Sequence, residues 1–136
     1  MGGSLDSAKE DSAQPDTSTA VPVRCTQADF DKVAGPGGGD FTAFPGADIT
    51  FPTTAAPQQY TNHCVKVKVG SKVTFAGAFA MHPLEPSGGD TPTPIVAQST
   101  DVDGGAVGVT FATKGTFGFE CSFHPAFMFG AVQVVP

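Results

Sequence analysis

Three side chains that bind soft metals lie within eight residues near the C-terminal end of the sequence. Cys121 supplies a thiol, His124 an imidazole and Met128 a thioether. His82, upstream, can complete a set of four. Two imidazoles and a thiolate in a trigonal plane, with a weak axial Met, are the ligands of a blue-copper electron-transfer site. The residue types therefore predict one copper ion held by His82, Cys121, His124 and Met128.

These ligands need two strands and a connecting loop to hold them. We expect strands at residues 117–121 and 131–135, so that Cys121 ends a strand and the other two ligands lie on the loop that follows. His82 must then arrive from a different loop at the same end of the molecule. Because neighbours on a strand point to opposite faces, Glu120 is expected to point away from Cys121.

Each of these residues has an ordinary alternative. Taken singly, Cys121 is a buried thiol, His124 a surface histidine and Met128 a core side chain. Met81 is a competing thioether beside His82, and Gln or a backbone oxygen also fills the axial position in such sites. A nucleophilic Cys–His pair is conceivable, but the sequence has no hydrolase, phosphate-binding or zinc-protease motif.

The ligand segment and its flanking strands resemble the cupredoxin family, in particular the plastocyanin, amicyanin and azurin type. Members have a Cys, a His three or five residues later, and a Met two to four residues after the His; here the steps are three and four. The resemblance covers roughly residues 23–136 and is strongest in the ligand segment. One departure is Pro83 after His82, where many relatives have an Asn whose amide donates to the Cys sulfur; proline has no amide hydrogen to donate.

The resemblance implies a fold, a cofactor and a role. The expected fold is an all-β, two-sheet Greek-key sandwich, and the cofactor is one type 1 copper ion. The chain is then expected to be a monomeric, soluble one-electron carrier and not an enzyme. Its partner would be a redox protein, such as a cytochrome or a copper or haem oxidoreductase, that docks near His124. A copper storage or delivery protein without an electron-transfer role is the alternative.

Composition supports a single β domain with a polar N-terminal extension. Gly, Pro, Thr, Val and Phe are frequent, and short alternating runs recur between turn signals. The net charge of −6 argues against nucleic acid and anionic membranes as partners and favours a basic protein. We expect residues 1–22 to be a disordered polar linker or tail. Residues 23–136 then form the copper-binding domain.

The remaining cysteines bear on the cellular compartment. If Cys121 binds copper, Cys25 and Cys64 are left as a pair, which predicts one disulfide; two unrelated buried thiols are the alternative. A disulfide implies an oxidising compartment. The first residues lack the apolar core of an export signal. We therefore expect a periplasmic or otherwise exported protein whose signal has been removed. A lipid tether on the native precursor is compatible with this expectation.

Strand positions follow from alternation and turn residues. Residues 64–69 and 73–75 should form two strands with Val65, Val67, Val69, Val73 and Phe75 inward, followed by a Gly/Pro-rich loop at 85–94. Another strand is expected to begin at residues 95–98, and Val107, Val109 and Phe111 should alternate in the next. Around His124 we expect an exposed apolar rim of Leu84, Pro125, Ala126 and Phe127. The alternative is that Phe127 folds inward over the copper.

Overall fold

The computed structural model describes residues 22–52 and 59–136. Within these residues the chain forms eight β-strands, one short α-helix and one 3₁₀ turn. In chain order the elements are α1 (Gln27–Asp31), β1 (Gly38–Asp40), β2 (Gly46–Thr50), β3 (Cys64–Lys68), β4 (Ser71–Ala76), β5 (Leu84–Gly89), the 3₁₀ turn (Asp103–Gly105), β6 (Ala106–Phe111), β7 (Gly115–Cys121) and β8 (Phe129–Val135). The linker predicted at residues 1–22 lies outside the described residues except for Pro22.

The strands form two mixed sheets. The larger sheet has five strands in the order β1-β3-β8-β7-β5, and the smaller has three in the order β2-β4-β6. The neighbours β1 and β3, β2 and β4, and β3 and β8 are parallel, whereas β4 and β6, β5 and β7, and β7 and β8 are antiparallel. The predicted two-sheet, mainly β architecture is confirmed. The short helix was not anticipated.

One apolar core lies between the sheets. Alternation in the strands directs Val65 and Val67 from β3, and Val73 and Phe75 from β4, into this core, where all four are fully buried. Val109 and Phe111 from β6 are buried as predicted, and Val107 packs partly against them. Val69 does not follow the prediction. Its side chain is 43% exposed because β3 ends at Lys68 and Val69 lies in the turn before Gly70.

Two further predictions are wrong between residues 84 and 98. The expected loop at 85–94 begins as strand β5, which pairs with β7 despite containing Pro86, because it lies at the edge of the sheet and bulges between Pro86 and Gly89. The strand expected at 95–98 is absent from the described residues. Only an isolated bridge joins Gln98 to Leu84, with backbone bonds of 2.9 Å in both directions.

The N-terminal segment is fastened to the larger sheet. Helix α1 begins with a capping box, in which Thr26 and Asp29 bond each other's backbone amides. The predicted disulfide between Cys25 and Cys64 is confirmed, with their Cα atoms 6.0 Å apart. Together with Phe30 and Ala131, this disulfide forms a second small buried cluster. No helix within the described residues is long and apolar enough to cross a membrane.

Candidate metal centre

The loop between β7 and β8, residues 122–128, is called the ligand loop here. Its backbone is folded by its own hydrogen bonds. The His124 amide donates to the Cys121 carbonyl over 3.1 Å, and the Met128 amide donates to the His124 carbonyl over 2.8 Å. The Cys121 amide donates to the Met128 carbonyl over 2.8 Å, which closes the base of the loop. The three candidate ligands of this segment are thus held by local backbone contacts.

His82 reaches the ligand loop through the start of β5. Its amide donates to the Ala78 carbonyl over 2.9 Å in the turn after β4. The Ser122 amide donates to the Pro83 carbonyl over 3.0 Å, and Leu84 is the register partner of Cys121. The residue after His82 is therefore bonded to the residue after Cys121. This connection explains how a histidine 39 positions upstream comes to face the cysteine.

The structure brings three of the four candidate ligands into one cluster. The Cys121 Sγ atom lies 3.8 Å from His82 Nδ1 and 3.6 Å from His124 Nδ1. The donor atoms of all three residues lie within 4.8 Å of one another. Cys121 and His82 are fully buried, whereas His124 is partly exposed. No carboxylate belongs to this cluster among the described residues.

The spacing of these atoms suits a metal ion. Metal–nitrogen bonds of about 2.0 Å and metal–sulfur bonds of about 2.3 Å, at angles between tetrahedral and trigonal, put nitrogen and sulfur about 3.5 to 3.7 Å apart. The two sulfur–nitrogen distances of 3.6 and 3.8 Å match that range to within about 0.1 Å. The donor set of one thiolate and two imidazoles fits copper.

The two methionines beside the cluster differ in burial. Met128 is fully buried in the main core, and its backbone closes the ligand loop. The Met81 side chain is 42% exposed. A buried thioether beside the cluster is the better candidate for a weak axial donor. Met128 as the axial ligand remains a prediction.

Aromatic rings form the inner wall beside the cluster. The Phe51 ring lies edge-on to His82, with centroids 6.2 Å apart, and also contacts Tyr60 at 5.4 Å. Tyr60 in turn packs against Phe119, and its hydroxyl has no hydrogen-bond partner in the part of the chain that the structure describes. Burial, followed by the nearby Cys121, raises the pKa of Tyr60 far above its usual value. The interior side of the cluster is therefore lined by buried aromatic side chains.

Two further titratable residues, Glu120 and His63, lie outside the cluster. Glu120 lies on the opposite face from Cys121, as predicted, and its carboxylate accepts bonds from Arg24 and Ser87, each of 3.0 Å. His63 is half-buried, and its ring meets the Phe129 ring edge-on with centroids 6.4 Å apart. Burial lowers the pKa of His63, which keeps this imidazole neutral over more of the pH range.

The surface around His124 matches the predicted apolar rim except at Leu84. Pro125, Ala126 and Phe127 are exposed, and the Phe127 side chain at 68% does not fold inward over the site. Leu84 is instead 1% exposed, because it pairs with Cys121 on β5 and its side chain lies in the core. Phe123, at 64% exposed, takes its place in the rim.

One residue that contacts the ligand loop was missed by sequence reasoning. Arg24 donates to the Pro125 carbonyl and to Glu120, from about a hundred residues away in sequence. Its only sequence signal is that it is the sole arginine of the chain and adjoins Cys25. That signal does not indicate which element it contacts.

Solved structures with a similar fold include several copper proteins. A copper-containing nitrite reductase from Thermus scotoductus SA-01 is 17% identical over 67% of this chain, with a TM-score of 0.50. This chain covers 22% of that reductase chain. A purple cupredoxin from Nitrosopumilus maritimus is 20% identical, covering 65% of this chain and 98% of that chain, with a TM-score of 0.47. The reduced state of an amicyanin mutant is 22% identical, covering 85% of this chain and 98% of that chain, with a TM-score of 0.46.

No protein-family model matches the sequence, and no curated protein matches it. At these identities the likeness concerns the fold. The chain has a cupredoxin-like fold.

Proposed function

We propose that the chain is a type 1 copper protein that carries single electrons between larger redox proteins. His82, Cys121 and His124 would hold one copper ion, with Met128 as a weak axial ligand. The observation that carries the proposal is the triangle of one sulfur and two Nδ1 atoms, with sulfur–nitrogen distances of 3.6 and 3.8 Å, in which Cys121 and His82 are fully buried. Copper bound there would supply a one-electron couple between its two oxidation states.

The surroundings of the triangle favour retention of the metal and electron transfer. Cys121 and His82 are fully buried, and the ligand loop is bonded both to itself and to the segment that carries His82. Such a frame holds its donor atoms in one arrangement and excludes water. A protein that delivers copper needs donors that a partner can reach. The partly exposed His124 is the donor closest to such access, and it is equally the route by which an electron would leave.

The apolar rim around His124 is the proposed docking surface for the redox partner. Phe123 and Phe127 are exposed beside Pro125 and Ala126, and a small apolar patch suits the brief, low-area encounters of redox proteins. The net charge of −6 favours a basic partner and would speed its approach.

The disulfide supports an oxidising, exported location such as the periplasm. Residues 23–136 would be the functional domain.

A copper titration tests the metal site. Adding one equivalent of copper(II) to the metal-free protein should give an intense absorption near ~600 nm from thiolate-to-copper charge transfer. Cys121→Ser should abolish this band. Met81→Leu, which changes an exposed thioether beside the site, serves as the matched control and should retain it. A colourless copper(II) protein, or an unchanged band in Cys121→Ser, would contradict the proposal.

Electron exchange tests the proposed role and the docking surface together. Phe127→Asp should slow electron self-exchange several-fold by placing a charge on the apolar rim, while the visible band stays unchanged. Phe44→Asp is the matched control, because Phe44 is a 53% exposed phenylalanine outside the ligand loop. Negligible exchange in the parent protein, with ready loss of copper to a chelator, would instead identify a storage or delivery protein.

A further inference from the structure

Arg24 makes three contacts with the segment that contains the ligand loop. Its Nη1 atom donates to the Pro125 carbonyl over 2.6 Å, and its Nη2 atom donates to Glu120 Oε1 over 3.0 Å. Its guanidinium carbon lies 4.1 Å from the centroid of the Phe129 ring. One planar group thus bonds a carbonyl and a carboxylate while it covers an aromatic face, a combination that suits arginine and not lysine.

The three contacted residues share one property. Each is the immediate sequence neighbour of a candidate ligand from β7 or the ligand loop. Glu120 precedes Cys121, Pro125 follows His124, and Phe129 follows Met128. A displacement of the guanidinium would therefore change a contact beside each of these three ligands, one to a backbone carbonyl and two to side chains.

Arg24 is itself held on both sides. The next residue, Cys25, is bonded through the disulfide to Cys64 on β3, the strand that runs parallel to β8. On the other side, the Glu120 carboxylate also accepts a bond of 3.0 Å from the Ser87 hydroxyl on β5. The backbone beside Arg24 and the Glu120 carboxylate are thus both tied to the larger sheet. The ligand loop between them is the part that lacks a strand partner.

We infer that Arg24 is a positioning residue that holds the ligand loop in its metal-binding shape. The ion pair with Glu120 is partly exposed, with side chains 43% and 20% accessible, so its charge attraction alone contributes little. The bond to the Pro125 carbonyl is different, because it fixes the backbone beside His124 and is strengthened by the charge on the donor. The inference rests on the proposed function only for its copper measurements.

Hydrogen exchange of the metal-free protein tests the inference without copper. Arg24→Met keeps an apolar stem and removes all donors. We expect the amides of His124, Phe127 and Met128 to exchange about tenfold faster, as the loss of one charge-assisted bond predicts. Amides of β4 and β6 should be unchanged. Lys114→Met, which removes one exposed positive charge before β7, should alter none of these rates.

Two results of this experiment would overturn the inference. One is unchanged exchange of the loop amides in Arg24→Met. The other is a uniform rise throughout both sheets, which would mean that Arg24 only adds to global stability. If Arg24→Met does not fold, Arg24→Lys is measured in its place and judged by the same two results. An ammonium cannot make all three contacts, so the loop amides should still exchange several-fold faster.

The copper-loaded protein gives a second, separate measurement. Arg24→Met should lower the reduction potential and release copper to a chelator several-fold faster. In Lys114→Met both effects should be smaller. Equal potentials and release rates in the two variants would contradict a positioning role. If the parent protein takes up no copper, the proposed function fails, and the exchange experiment still decides whether Arg24 holds the loop.

Discussion

The three cysteines lie in two regions of the molecule with opposite chemistry. Cys25 and Cys64 form a disulfide in a small cluster with Phe30, on the side of the sheet away from the main core. Cys121 ends β7 within the main core, as a free thiol that faces two imidazoles. The chemistry of each cysteine is therefore decided by the neighbours that the fold gives it. We expect changes in one region to affect stability and changes in the other to affect the metal.

The largest effect should come from removing the disulfide. The double variant Cys25→Ser, Cys64→Ser removes a crosslink between residues that are 39 positions apart. The chain-entropy model predicts that the free energy of unfolding then falls by about 4 kcal/mol. Urea titration of the metal-free proteins measures this loss. At saturating copper, the visible band should remain.

The reciprocal control is Cys121→Ser, which should lose the band and keep most of the metal-free stability. A disulfide variant with unchanged stability, or one that folds and yet cannot form the band, would break the separation between the two regions.

The axial position should affect the redox couple more than the fold. Met128→Leu removes a weak donor that favours copper(II) and should raise the reduction potential, whereas Met128→Gln should lower it. The leucine variant conserves volume and should cost less than about 1.5 kcal/mol in the free energy of unfolding. Voltammetry measures the potentials, with Met81→Leu as the control. Identical potentials in all four proteins would make Met128 a core residue only.

The smallest effect should come from the helix cap in the disulfide region. Hydrogen bonds from Thr26 hold the pKa of Asp29 below its ordinary 3.8. The carboxylate therefore stabilises the folded state above that pH, and the stabilisation is lost as pH falls through the lowered folded-state pKa. Because Asp29 is partly exposed, Asp29→Asn should cost under about 1 kcal/mol at neutral pH.

The pH dependence provides the check on this assignment. Between about pH 5 and pH 2, Asp29→Asn should lose less stability than the parent protein, because the neutral amide has no proton to gain. The copper band at neutral pH should not differ. Parallel stability curves for the two proteins would show that the cap carries no charge effect.

The local part of the site was predictable from sequence because its members are contiguous. Cys121, His124 and Met128 lie on one loop between two alternating strands, and both strands form where expected. His82 could be predicted as the ligand from another segment because the chain has only three histidines. The disulfide followed from the number of cysteines left over.

The remaining features of the fold and the site depend on contacts between segments that are distant in sequence. The spacing of residues along the chain does not reveal such contacts. Strand β5 contains proline and glycines typical of a loop, and it forms because β7 offers an open edge. The burial of Leu84 follows from the same pairing. The role inferred for Arg24 depends on a contact across 101 positions, brought about by the disulfide beside it.

The proposed function requires one copper ion between the Nδ1 atoms of His82 and His124 and the sulfur of Cys121. Anomalous diffraction at the copper absorption edge, from crystals of the copper-loaded protein, tests it most directly. We expect one strong peak within bonding distance of all three atoms, with the Met128 sulfur on its axis. A peak at His63 or at the protein surface, or the absence of any peak between these three side chains, would contradict the claim.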